Sequence, residues 1–350
     1  MYPFREGYFA VHNGWYVIAF ARDLKHELVG RWLLNEPVVL YRREDGQPVA
    51  LSGLCPHRFF PLAKGRLVGD DIVCGYHGFA FDSGGRCTDI PGQSNVPATC
   101  KLRRYPVAEH GIWIWIWPGD PDKADPALLP DLADIGHTAD GFIVEPFYEH
   151  ELKARYQLLN DNLMDLSHLA FLHSSSIGVP ENATVIEELT EGPRLLRSRR
   201  TMNKTRAPPV VKETQGYDGV VDQTNGMDFH APGLHAGFAE MRYPDGHERT
   251  EEVLRRINVF HAVTPTTRNS CYYFFAMASK DTAQIERMRE YLKKTVAEDI
   301  DASESIEQML ALHGEPQREV VKYSDRNAVR GRMLLQKMMD AESAAAPNAS

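Results

Sequence analysis

Two short clusters, Cys55-Pro-His57 and Cys74-Gly-Tyr-His77, constrain this chain more than any other feature, with 16 residues between His57 and Cys74. Thiolate and imidazole are ligands soft enough for iron or zinc, so four of them in two clusters predict a metal site. Pro56 stiffens the first cluster, and Gly75 and Gly78 flank the turn of the second. The fold must therefore bring two loops together. Zinc and a [2Fe–2S] cluster both accept two Cys and two His. The order is informative: zinc fingers usually place the Cys pair before the His pair. A binuclear cluster with two thiolates on one iron and two imidazoles on the other can draw one Cys and one His from each loop.

The 350 residues suit two domains, and 43% hydrophobic with 25% charged residues is ordinary for a globular protein. A net charge of −9 argues against nucleic acid as a partner. The opening Met-Tyr-Pro-Phe-Arg-Glu-Gly shows no export signal, and the run Ile112–Trp117 is far too short to span a bilayer. Of five cysteines, Cys87, Cys100 and Cys271 are expected as free thiols, which suits a reducing, cytoplasmic setting.

Short apolar runs separated by turn residues fill residues 14–117, with Asp45-Gly46 as a hairpin signal, and predict a β-sandwich. The Pro/Asp-rich stretch 118–130 reads as a linker. Beyond it come a strand at 148–153, a helix over about 156–173, and strands and loops over 184–280. A long helix is expected over about 282–312 and a last one over about 327–342, before an Ala/Ser-rich end expected to be disordered. The stretch around Arg206-Ala-Pro-Pro-Val reads as loop. The second part is thus α+β, an antiparallel sheet covered by helices.

In the first of these helices Asn162, Asp165 and His168 recur at intervals of three, with His173 five further on. On an ideal helix His168 and His173 lie about 140° apart, so they share a metal only if the helix bends or ends. In the long helix Ile285, Met288, Leu292, Val296, Ser303, Ile306 and Leu310 form an apolar stripe. Asp299 lies on that stripe, Glu298 well off it and Asp301 opposite. A carboxylate on a buried stripe needs a partner: a cation, an Arg, or a wet cleft. Two His and one carboxylate can form the facial triad of non-haem iron oxygenases.

The sequence Cys55-Pro-His-Arg with Cys74-Gly-Tyr-His-Gly resembles the signature of Rieske iron–sulfur proteins. The run from Asn162 through Asp165 and His168 to His173, with Ala297-Glu-Asp299, resembles the iron motif of Rieske non-haem iron oxygenases. Asn13-Gly-Trp-Tyr-Val, Ile114-Trp-Ile-Trp-Pro-Gly-Asp-Pro and Tyr272-Tyr-Phe-Phe extend the likeness to the vanillate and dicamba O-demethylase branch. The stretch 203–250 matches that branch poorly.

The resemblance implies a Rieske domain at 1–120 and a catalytic domain at 121–345. It implies Cys55, His57, Cys74 and His77 as ligands of a [2Fe–2S] cluster, and His168, His173 and Asp299 as ligands of a mononuclear Fe(II) that meets O2. Asn162 then lies near the iron. A head-to-tail homotrimer is implied, with Asp165 bridging a cluster histidine of one copy and an iron histidine of the next. His261 and Asn225 are implied as substrate contacts. No Gly-rich dinucleotide or flavin segment is evident, so electrons are expected from a separate flavin reductase, with or without a ferredoxin. The expected reaction is O-demethylation or hydroxylation of a carboxylated or phenolic aromatic. Ring dihydroxylation is the nearer alternative, and a Rieske electron carrier without oxygenase activity the more distant one.

Overall fold

The computed structural model describes residues 9–138, 141–250, 252–314 and 319–345. The opening stretch 1–8 and the end 346–350, on which expectations were stated above, lie outside the described residues. The chain divides into two compact units, one of residues 12–129 with 264–268, the other containing 130–263 and the chain from 269 onward.

The first unit consists of three small antiparallel sheets. The hairpin expected at Asp45-Gly46 joins strands Glu36–Arg42 and Pro48–Ser52, with Gly46 at φ 84°. Alternation along these strands turns Val39, Tyr41, Val49 and Leu51 inward against Leu62, Ile72 and Phe81. Cys55 and Cys74 belong to this same core, so the packing that holds the unit together also seats both thiols. The Trp-rich run forms strand Trp113–Ile116, central in its sheet and buried along its whole length. The Pro/Asp stretch makes two short 3-10 turns, Pro121–Lys123 and Pro126–Leu128. Asp120 and Asp125 cap them by accepting the Asp122 and Ala127 N–H groups.

The second unit is built on a seven-stranded antiparallel sheet. Its order is Ile143–Leu152, Ser270–Ser279, Val253–Thr267, Leu234–Arg242, Val220–His230, Leu195–Arg206 and Glu188–Glu191. Helix α1 (Tyr156–Met164) is shorter than the expected 156–173. It stops at Asp165, whose backbone leaves helical geometry (φ −98°, ψ 87°). The Asp165 side chain accepts the Ser167 N–H and starts a 3-10 turn, Leu166–Ala170, while Asn327 donates to the freed Met164 carbonyl. The loop-like stretch near residue 210 holds a helix, α2 (Pro209–Gln215), ended by Gly216 in the left-handed region. Helix α3 (Thr282–His313) packs on α1 and on strands Ile143–Leu152 and Ser270–Ser279. Its buried stripe departs from the expected one after Ser303. Ile306 is exposed, and Glu307 turns inward to pair with Arg155 at 2.7 Å. Helix α4 (Arg326–Ala345) packs on α1 and runs past the expected end near 342. Among the described residues no helix is long and apolar enough to cross a membrane.

Candidate active site and metal centres

The two Cys/His loops repeat one backbone pattern. Phe59 N–H donates to the Cys55 carbonyl and Cys55 N–H to the Phe60 carbonyl; likewise Gly78 donates to Cys74 and Cys74 to Phe79. The matching turn positions, Phe59 and Gly78, both have positive φ (55° and 77°). This repeat brings like ligands together. Cys55 and Cys74 are buried with their thiols in contact, and burial pushes the Cys55 thiol up to about 11. His57 and His77 stand exposed with ring centroids 4.6 Å apart, and Phe79 stacks on His57. Among the described residues, these four do not bring three donors within 4.8 Å of one another. Tetrahedral zinc would require about 3.5–4 Å between donors. The split into an inner sulfur pair and an outer nitrogen pair fits a two-iron cluster, and a bound metal would supply the deprotonation that burial opposes.

In the second unit the early end of α1 brings the helix residues to α3. The 3-10 turn ends at Ala170, between His168 and His173, and the two rings come to 5.0 Å between centroids. Among the described residues His168, His173 and Asp299 are the group of three whose donors all lie within 4.8 Å of one another. Ligands about 2.1 Å from one ion and at right angles sit about 3 Å apart. Asp299 Oδ1 lies 2.9 Å from His173 Nε2 and 3.6 Å from His168 Nε2.

Each imidazole is held through its other nitrogen. His168 Nδ1 donates to the Asp165 carbonyl, and His173 Nδ1 donates to Glu298 Oε2 at 2.7 Å. Both Nε2 atoms are thereby left to face a metal. Burial opposes charge on His173, but Asp299 and Glu298 outweigh it and raise its pKa. Burial likewise opposes charge on Asp299, and the His173 contact outweighs it and lowers its pKa. Two carboxylates at a buried pair of imidazoles fit a divalent cation.

Asn162 donates to Asp299 Oδ1 at 3.1 Å, and its own Oδ1 is buried without a hydrogen bond. Sequence reasoning missed Glu298, because it lies off the stripe of α3 and its partner leaves the helix that the sequence predicts. The one available signal was its place beside Asp299. The structure brings Asn162, His168, His173 and Asp299 together, and Asp165 joins them through its backbone. Its carboxylate instead caps the 3-10 turn and lies 3.9 Å from Lys322 Nζ.

These donors open on a cavity of about 980 Å³, counting its open mouth. Its sheet side presents cross-strand rows: Gln223–Met241–Arg255, Asn225–Ala239–Ile257 and Met227–Gly237–Val259, with His261 beyond them. Both sequence-derived contact candidates, Asn225 and His261, line it. Asn225 Oδ1 is buried without a hydrogen bond. His261 Nδ1 is 2.6 Å from the Tyr273 hydroxyl, and burial pushes its pKa down to about 4, so the ring is neutral. Much of the lining comes from the stretch 203–250.

Comparisons with known proteins agree with this geometry. Residues 14–106 match the Rieske [2Fe-2S] domain and residues 152–341 the vanillate O-demethylase oxygenase C-terminal domain. The chain is 35% identical over 272 residues to the oxygenase component of dicamba O-demethylase from Stenotrophomonas maltophilia, spanning 76% of this chain and 77% of that protein. It is 33% identical to an iron–sulfur subunit of the toluene-4-sulfonate monooxygenase system from Comamonas testosteroni, over 95% of this chain and 98% of that one. A crystal structure of dicamba monooxygenase with non-heme iron and dicamba matches with a TM-score of 0.80 at 30% identity, covering 97% of this chain and 100% of the other.

Proposed function

The chain belongs to the Rieske non-haem iron oxygenases, in the branch of the vanillate and dicamba O-demethylases, and from that premise we propose roles for its individual residues. It is the oxygenase component of a multicomponent monooxygenase, carrying a [2Fe–2S] cluster and a mononuclear iron and receiving electrons from separate proteins. Cys55 and Cys74 hold one cluster iron, His57 and His77 the other. His168, His173 and Asp299 hold the mononuclear iron, with Glu298 and the Asp165 carbonyl orienting the imidazoles. We read 1–120 as the Rieske domain and 121–345 as the catalytic domain.

When bound, the iron supplies activation of O2 with electrons relayed through the cluster. The chain's own residues do the rest. Apolar lining excludes water and holds an aromatic ring, and neutral His261 and Asn225 offer hydrogen bonds to its oxygen substituents. The reaction we favour is oxidative O-demethylation or hydroxylation. One oxygen atom enters a substrate C–H bond, and the other leaves as water after two electrons and two protons are taken up. At a methoxy group the product is a hemiacetal, which collapses to a phenol and formaldehyde.

The observation that carries this reading is the convergence of His168, His173 and Asp299 on an apolar cavity. Replacing His168 or Asp299 with Ala should abolish turnover while the visible and EPR spectra of the cluster persist. Turnover that survives either change would remove the iron assignment. A homotrimer fits the exposed His57 and His77, which are free to meet a neighbouring copy. Five unbridged cysteines fit a reducing cytoplasm.

A further inference from the structure

Arg255 lines the cavity, is 4% exposed, and among the described residues has no carboxylate partner. Among the described residues its one hydrogen bond runs to Met288 Sδ at 3.3 Å, and its Nε has no acceptor. The other buried arginines are paired: Arg200 with Glu187 at 2.7 Å, and Arg332 with Asp161 at 2.8 Å. A lone buried guanidinium is costly to the fold, and its planar fork suits a carboxylate or a sulfonate.

Two independent rulers locate it. Arg255 and His261 lie six residues apart on one strand face, a rise of about 20 Å. Met288 and Asp299 lie eleven residues apart on nearly one face of α3, about 16 Å along its axis. Both place Arg255 and its Met288 contact toward the end of the cavity away from Asp299. Ile257, Val259, Leu292 and Val296 line the space between. That space suits one aromatic ring with substituents at opposite ends.

We infer that Arg255 binds the anionic group of the substrate at the end of the cavity remote from the iron, so that the substrate is an aromatic carboxylate or sulfonate oxidised at the carbon across the ring from its charge. This rests on the iron assignment for the reacting end. Arg255 is then a specificity residue; neutral His261 and Asn225 contact uncharged oxygens.

Isothermal calorimetry on the cluster- and iron-loaded protein tests this without turnover. The probes are 4-methoxybenzoate, toluene-4-sulfonate, 2-methoxybenzoate, and the neutral methyl 4-methoxybenzoate and toluene-4-sulfonamide. The wild type should bind at least one para anion more than about tenfold tighter than its neutral partner, and 4-methoxybenzoate tighter than the ortho acid. Arg255→Met should lose about 100-fold or more of that anion affinity, keep its affinity for the neutral probes, and melt no lower than the wild type. Arg255→Lys should retain part of the anion preference. Failure of every para anion to bind, equal binding of acid and ester or of ortho and para acids, or undiminished anion binding by Arg255→Met would overturn the inference. Because binding is read directly, a failed iron assignment would show separately, as surviving turnover in His168→Ala.

Discussion

Glu298 shows how much one side chain can set at a metal centre. By accepting from His173 Nδ1 it fixes which nitrogen faces Asp299. Glu298→Gln should therefore weaken iron retention by about 10- to 100-fold, measured as iron content after dialysis against a chelator, with the cluster spectrum unchanged. Gly78 is constrained differently. At φ 77°, a Cβ there would lie 2.9 Å from Pro91 Cγ. Gly78→Ala should lower stability by about 1–2 kcal/mol in thermal or denaturant unfolding of the loaded protein. The Cys and His ligands were legible because their types and spacing are rare together. Asp299 was legible as a carboxylate on an apolar stripe. Arg255 was open to the same parity argument, since it alternates with Ile257, Val259 and His261. Glu298 was not legible, because its partner follows a break in the helix that residue pattern alone does not show.

At the level of elements, α1 and α3 decide the site. The sequence required the helix to bend or end for His168 and His173 to share a metal, and the structure ends it at Asp165 and ends the 3-10 turn at Ala170. Where it would end was illegible, because the stop depends on Asn327, far along the chain, taking the Met164 carbonyl. The Arg155–Glu307 pair ties the start of α1 to α3 through contacts of 2.7 and 3.0 Å. Burial raises the Glu307 pKa, but hydrogen bonds from Arg155 and Asn269 outweigh it and hold it below its ordinary 4.5. A depressed folded-state pKa contributes stability that is fully present above about 4.5 and is lost as pH falls through the folded value. Glu307→Gln should cost about 3 kcal/mol at neutral pH, and the gap to wild type should narrow in urea melts taken below pH 4.5.

At the scale of the whole molecule, two motif pairs in sequence order made a β Rieske part followed by an α+β part legible. The order of the large sheet was not. Six of its strands follow the chain, but the first, Ile143–Leu152, pairs with the last, a long-range contact that no local pattern encodes. The proposed assembly makes its own prediction. Mixed oligomers of Cys55→Ser chains, with a dead cluster, and His168→Ala chains, with a dead iron site, should recover turnover that neither parent has. Refolded or co-expressed mixtures that stay inactive would count against electron passage between copies.

The cross-strand rows of the cavity also bear on how such a protein diversifies. Of the proposed ligands of the mononuclear iron, His168 and Asp299 come from helical segments and His173 from the turn that follows the first, whereas the rows come from strands. A change of one row reshapes one slice of the cavity and leaves the oxidising machinery on another layer. New pollutants or plant compounds could then be taken up by stepwise exchange of strand residues, and directed evolution would do well to begin at Gln223, Asn225 and Met241.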